Sequence, residues 1–378
     1  MAACSSGGDG TPSPLLSHPA KGSGKPSATA AAPSATPSPS ASAAPAKGTA
    51  KVTGTVATGL KSPWGLVQLP DGTLLVASRD TGRISRVDPT THTVTEIGMV
   101  PGVSHTQGGE NGLLGLALSP DFGADHLVYA YFSTESDNRI ARMLYDPTRP
   151  SGEQLGAPDT ILRDIPTGTL HNGGRIAFGP DGMLYAGTGE TGQGPLAQNA
   201  SSLGGKILRM TPDGQPPADN PTQGSLVYSP GHRNVQGLAW DADGRLWASE
   251  FGQDTWDELN LIQPGKNYGW PVVEGIAHRA GYVDPVEQWR TDDASPSGVA
   301  YAAGSIWMAS LKGERLWRIP LDGAKPAADP QSFFVGTYGR LRTVIAVDDH
   351  TLLATTSNTD NRGTPKSGDD RILRIAVS

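Results

Sequence analysis

One pattern recurs six times along the chain. A turn carrying Asp-Gly or an equivalent leads into a short apolar strand, and a polar turn then leads into a second strand of the form basic-Ile/Leu-x-Arg-apolar. Pro70-Asp71-Gly72 precedes LLVAS and then RISRV, Pro180-Asp181-Gly182 precedes MLYAG and then KILRM, and Asp243-Gly244 precedes RLWAS and then ELNLI. SIWMAS is followed by RLWRI, and HTLLATT by RILRI. The sixth copy, SPDF then HLVYAYF and NRIARMLY, is less regular. Copies lie roughly 45 to 65 residues apart, the spacing of four-stranded propeller blades with inserted loops. A β-sandwich would also use Asp-Gly hairpins, but it predicts no recurrence of the second strand's Arg signature. The expectation is an all-β, six-bladed β-propeller, with each repeated Arg laying its stem on the sheet and keeping its head in water.

Residues 1–51 do not belong to that pattern. They are almost entirely Ala, Ser, Pro, Gly, Thr and Lys, with Leu15 and Leu16 as the large apolar residues, too little apolar surface to offset ordering. They read as a disordered tether, leaving 52–378 for the propeller. Small residues, the single Cys4 and then a spacer resemble the end of a bacterial lipobox, so a lipid anchor at Cys4 and an extracellular, cell-surface location are expected. One cysteine excludes an intrachain disulfide framework and a multi-cysteine metal site. No apolar run is long enough for a spanning helix. A net charge of −7, with no basic run, argues against nucleic acid as a partner.

Several residues carry candidate chemistry. GTGETG at 187–192 matches a dinucleotide-loop spelling, but Pro195 and a polar segment follow it where that fold needs a helix, so the reading fails. His171 stands before an inner strand, beside glycines that permit close approach of a ligand, and a neutral imidazole there can serve as a general base. Arg340 and Arg342 are two apart in a strand and share a face. Together with Lys312, from a different repeat, they can clamp a polycarboxylate. Asp257 and Glu258 offer hard oxygens, and Gly252 marks a turn whose carbonyls suit Ca²⁺. Neither H-E-x-x-H nor G-x-S-x-G is present, which argues against zinc and serine-hydrolase chemistry.

Seven strings occur in order: ENGLLGLALSPDF, HNGGRIAFGPDG, GHRNVQGLAW, DELNLIQPGKNYGWP, SPSGVAY, LKGERLWRI and GRLRTV. Together they resemble the soluble quinoprotein glucose dehydrogenase and aldose sugar dehydrogenase family over about residues 55–378. The resemblance implies pyrroloquinoline quinone (PQQ) and Ca²⁺ at the channel mouth, and oxidation of aldoses at the anomeric carbon by hydride transfer to PQQ. It also implies an external electron acceptor such as a quinone, a cytochrome or a dye. It casts His171 as catalytic base with Arg233 beside it, and Glu110, Arg233, Asn234, Lys312, Arg340 and Arg342 as cofactor contacts. The carbonyls of Gly252 and Gln253 fall on the PQQ-bound Ca²⁺, and Glu258 and Tyr268 on a second calcium. Leu170 stands where glucose dehydrogenases carry an aspartate that can orient the imidazole, and Glu110 where they carry glutamine.

Two other functions fit the same scaffold. A calcium-dependent lactonase-type propeller would not need the Lys312, Arg340 and Arg342 clamp. A cell-surface binding propeller without catalysis would tolerate Leu170 and Glu110.

Overall fold

Each recurrence is one antiparallel sheet. The computed structural model describes residues 43–378 and arranges them as six sheets, the expected six-bladed propeller. The strand facing the channel comes first in every blade: Pro63–Gln68, Leu113–Leu118, Ile176–Phe178, Val235–Trp240, Pro296–Ala302 and Leu341–Asp348 for blades 1 to 6. The inner strands of blades 1, 2, 4 and 5 are buried along most of their length, so period-two alternation is weak in them. Six apolar clusters hold the ring, one at each junction between neighbouring blades; Leu113 and Leu116 of blade 2, for example, pack on Leu75 and Ile84 of blade 1. Inner strands converge closely. A Cβ on Gly115 would lie 2.2 Å from the carbonyl oxygen of Gly174 in the next blade, so this position admits only glycine.

Blade 6 is completed by the other end of the chain. Ala50–Ala57 pairs antiparallel with Ile372–Val377, with Ala50 opposite Val377. The propeller begins earlier than composition implied, because residues before Val52 are already docked. Ala44 is buried and donates its N–H to Leu321 O at 2.8 Å, and Gly48 N–H reaches Gln331 Oε1 at 2.8 Å. Cys4 and the rest of the expected tether through residue 42 lie outside the described residues. No helix among the described residues is long and apolar enough to cross a membrane.

The repeated arginines behave differently from expectation. Arg86 pairs with Asp71 and Arg209 with Asp181, so the recurring Asp of the turn and the recurring Arg of the third strand form one contact within a blade. Arg209 is buried, and Arg318 is fully buried with its guanidinium on Gln331 Oε1 and Pro45 O. The heads of Arg209 and Arg318 bond protein acceptors rather than water, and the buried Arg318 Nε has no partner among the described residues.

Candidate active site

The first residues of the inner strands, and the loops leading into them, meet at one mouth of the channel. They enclose a cavity of about 390 Å³ lined by Trp64, Arg79, Glu110, His171, Arg233, Gln236, Phe251, Ser295, Leu311, Lys312, Arg340, Arg342 and Arg362. Six of the thirteen side chains are cationic and one is acidic, so the cavity suits an anion. His171, Arg233, Glu110, Lys312, Arg340 and Arg342, separated by up to 232 residues of sequence, all line it.

His171 is fixed from three sides. It adopts a left-handed backbone, φ 53°, and its N–H donates to Glu110 Oε2 at 2.9 Å. Its carbonyl is approached so closely by the next strand's turn that a Cβ on Gly189 would sit 1.8 Å away. Its Nδ1 lies 2.7 Å from Oε1 of Glu190, a buried carboxylate whose Oε2 has no partner among the described residues. That bond commits Nδ1 as donor and leaves Nε2 with the lone pair, the tautomer a general base requires. Sequence reading missed Glu190 because it sits inside GTGETG, a string weighed only for phosphate binding. The carboxylate facing the imidazole thus comes from another loop, and Leu170 itself is exposed.

Arg340 and Arg342 are held by one buried acid. Asp360 Oδ2 accepts from Arg340 Nη2 at 3.2 Å and Arg342 Nη2 at 3.1 Å. Burial alone would raise the Asp360 pKa, but Arg342 and Arg340 override it and hold the carboxyl down at about 2. Arg362 Nη1 meets Glu110 Oε1 at 2.7 Å; against the effect of burial, this guanidinium and the His171 N–H keep Glu110 below the ordinary carboxylate range. Lys312 pairs with Asp292 at the exposed rim. Arg233 stacks 5.3 Å over the Trp270 ring, and its buried Nε has no partner among the described residues. Burial disfavours its charge, which neighbouring Glu190 and Glu110 partly restore. Asn234 does not line the cavity. It is fully buried, its Oδ1 accepts the Gly173 N–H at 2.8 Å, and its Nδ2 is unpaired among the described residues.

The cavity has a floor. Arg175 lies 4.3 Å from the centre of the Trp64 ring, donates through Nε to Gln236 O at 2.8 Å, and reaches Thr343 Oγ1 at 3.1 Å. Gln236 Oε1 in turn accepts from Ser297 Oγ and from Arg342 Nη1. Blades 1, 3, 4, 5 and 6 all contribute to this septum. Beyond it lies a separate hollow of about 430 Å³ with mainly apolar walls, including Leu66, Leu116, Leu238 and Val344. A third hollow of about 440 Å³ adjoins His171 on its other side, lined also by Glu190, Pro195, Gln253, Trp270 and Glu274.

The expected metal residues divide into two groups. Gln253 lines the hollow beside His171, and Gly252 precedes it in the same loop. Glu258 is buried near Glu250, with oxygens accepting from Gly275 N–H and Asn260 Nδ2; burial first, then Glu250, pushes its pKa up. Tyr268 stacks on His232 and donates its hydroxyl to Leu261 O at 2.6 Å, so its phenol is already engaged. Among the described residues no group of three or more His, Cys, Asp or Glu side chains is arranged to hold a metal. A cation beside His171 would rely on the backbone oxygens of Gly252 and Gln253.

The profile of the glucose/sorbosone dehydrogenase family matches residues 60–365. The chain is 67% identical to the PQQ-bound aldose sugar dehydrogenase of Streptomyces coelicolor, with a TM-score of 0.88, covering 89% of this chain and 100% of that one. It is 32% identical over 282 residues to quinoprotein glucose dehydrogenase B of Acinetobacter calcoaceticus, covering 66% of this chain and 59% of that protein. With aldose sugar dehydrogenase YliI of Escherichia coli it shares 33% identity over 267 residues, 64% of this chain and 71% of that protein.

Proposed function

The chain belongs to the glucose/sorbosone dehydrogenase family, and on that premise we propose that it oxidises aldose sugars at the anomeric carbon to lactones, using bound PQQ and Ca²⁺. The observation that carries this reading is the single cavity in which His171, oriented by Glu190, shares a wall with Arg340, Arg342, Arg233 and Lys312. Residues and group fit. A tricarboxylate needs several convergent cations, and this cavity offers six against one lining acid. A lactonase-type hydrolase gains nothing from that surplus.

When bound, PQQ supplies the two-electron acceptor for the C1 hydride, and Ca²⁺ supplies a Lewis acid. The protein's own residues divide the remaining work. Arg340, Arg342 and Lys312 take the carboxylates, and Arg233 closes the side next to Trp270. The hollow beside His171, with Glu190, Gln253 and Glu274 as acceptors, takes the sugar hydroxyls. His171 Nε2 accepts the proton of the anomeric hydroxyl, and the Glu190 carboxylate stabilises the imidazolium that results. The Gly252 and Gln253 carbonyls would hold the cation, and Glu258 and Tyr268 would serve a second calcium. Electrons leave to an external acceptor, and a lipid anchor at Cys4 would place the reaction outside the cytoplasm.

The test is reconstitution of purified protein with PQQ and Ca²⁺, followed by dye reduction with a panel of aldoses. His171→Ala should lower kcat by at least ~10²-fold while PQQ still binds. Near-normal kcat in that variant would remove His171 as the base.

A further inference from the structure

The turn from Gly252 to Trp256 is pinned from behind by one carboxylate. Glu274 Oε1 accepts three backbone N–H groups, from Gln253 at 2.7 Å and from Thr255 and Trp256 at 3.2 Å each. Asp257 Oδ1 takes a fourth, the Gly252 N–H, at 2.9 Å, while its Oδ2 accepts the Ser295 N–H at 2.5 Å. In a trans peptide the N–H and the preceding C=O point in opposite directions. Drawing the Gln253 N–H onto Glu274 therefore turns the Gly252 carbonyl away from it. No donor among the described residues reaches the carbonyls of Gly252 or Gln253. The wrap is tight: a Cβ on Gly252 would lie 1.9 Å from Trp256 O and 2.6 Å from Glu274 Oε1.

We infer that Glu274 is a positioning residue for a divalent cation: by accepting the Gln253 N–H it directs the Gly252 carbonyl, and by holding Thr255 and Trp256 as well it fixes the turn that carries the Gln253 carbonyl beside it. The inference rests on the reading that Ca²⁺ sits at those two carbonyls, and it adds the residue that sets their direction. Hard cations accept such neutral oxygens, and the cost of binding falls when the turn is already in its bound shape. Glu274 acts through the backbone and need not touch the metal.

The experiment is calorimetric titration of chelator-stripped, PQQ-saturated protein with Ca²⁺, comparing wild type with Glu274→Gln and Glu274→Asp. Glu258→Gln, run alongside, identifies the binding event that belongs to the other expected site. Glutamine keeps an oxygen at the same reach and loses the charge; aspartate keeps the charge and loses the reach. Positioning predicts that Glu274→Gln binds Ca²⁺ within about threefold of wild type, whereas Glu274→Asp loses about tenfold or more. The reverse order would overturn it and make Glu274 a charge partner or direct ligand. Equal affinity in all three would overturn it too, leaving Ca²⁺ at the site without help from Glu274. Absence of the Glu258-independent event in wild type would instead sink the calcium reading beneath it. Melting temperatures in chelator verify that both variants fold.

Discussion

Nδ1 of His171 and Oε1 of Glu190 stand 2.7 Å apart, and that contact decides which ring nitrogen faces the cavity. Glu190→Ala should therefore cost about 10- to 100-fold in kcat, with PQQ affinity little changed. Glu190→Gln should keep ring orientation but lose the charge that stabilises the imidazolium, giving an intermediate loss. A pH–rate profile separates the two effects; unchanged kcat in both variants would show that the imidazole is oriented by other means.

Glu110 is the one acid that lines the anion cavity, and its Oε2 also holds the His171 N–H. Glu110→Gln keeps an acceptor for that N–H and frees Arg362 from its ion pair. PQQ should bind several-fold more tightly, about 1 kcal/mol, with kcat near wild type. Weaker binding on fluorescence titration would mean that Arg362 needs Glu110 to hold its position.

Asp360 couples the clamp to acid stability. Against the effect of burial, Arg342 and Arg340 hold its carboxyl down at about 2, below the ordinary 3.8, so the stabilisation is present above about pH 4 and is lost as pH falls through about 2. That difference amounts to about 2 kcal/mol. Asp360→Asn should melt well below wild type at pH 6, and the gap should shrink as pH approaches 2. A gap independent of pH in thermal melts would contradict the assignment.

Removal of residues 43–57 should abolish the cooperative fold. It takes away the outer strand of blade 6 and the buried Val56 and Ala57 of the cluster between blades 6 and 1. Circular dichroism melts of the truncated protein should lack the wild-type transition; a normal melt would show that the ring closes without its fourth strand.

The propeller was legible because its signature is local: turn, strand and Arg recur within each blade, and the structure explains the recurrence through Asp71–Arg86 and Asp181–Arg209. Composition places the boundary at residue 51, whereas Ala44 and Gly48 already dock on blade 5 through one small side chain and backbone groups, which composition does not register. The site was legible only in part. His171, Arg340 and Arg342 could be singled out by position, but Glu190 was hidden in a string with a different meaning. Arg362 meets Glu110 across 252 residues of sequence, and no spacing rule foresees that pair. Asp360 lies in a Gly- and Asp-rich loop that reads as solvated, yet it is 1% exposed beneath the two arginines.

The septum built from Trp64, Arg175, Gln236 and Thr343 turns a ring into a cup. Anything that reacts at His171 has to arrive and depart over the same lip. On the proposed reading, oxidised product would have to clear before an electron carrier could come close, and the carrier would have to withdraw before the next sugar entered. Turnover would then be an alternation of visitors at one doorway, and a high concentration of either should obstruct the other.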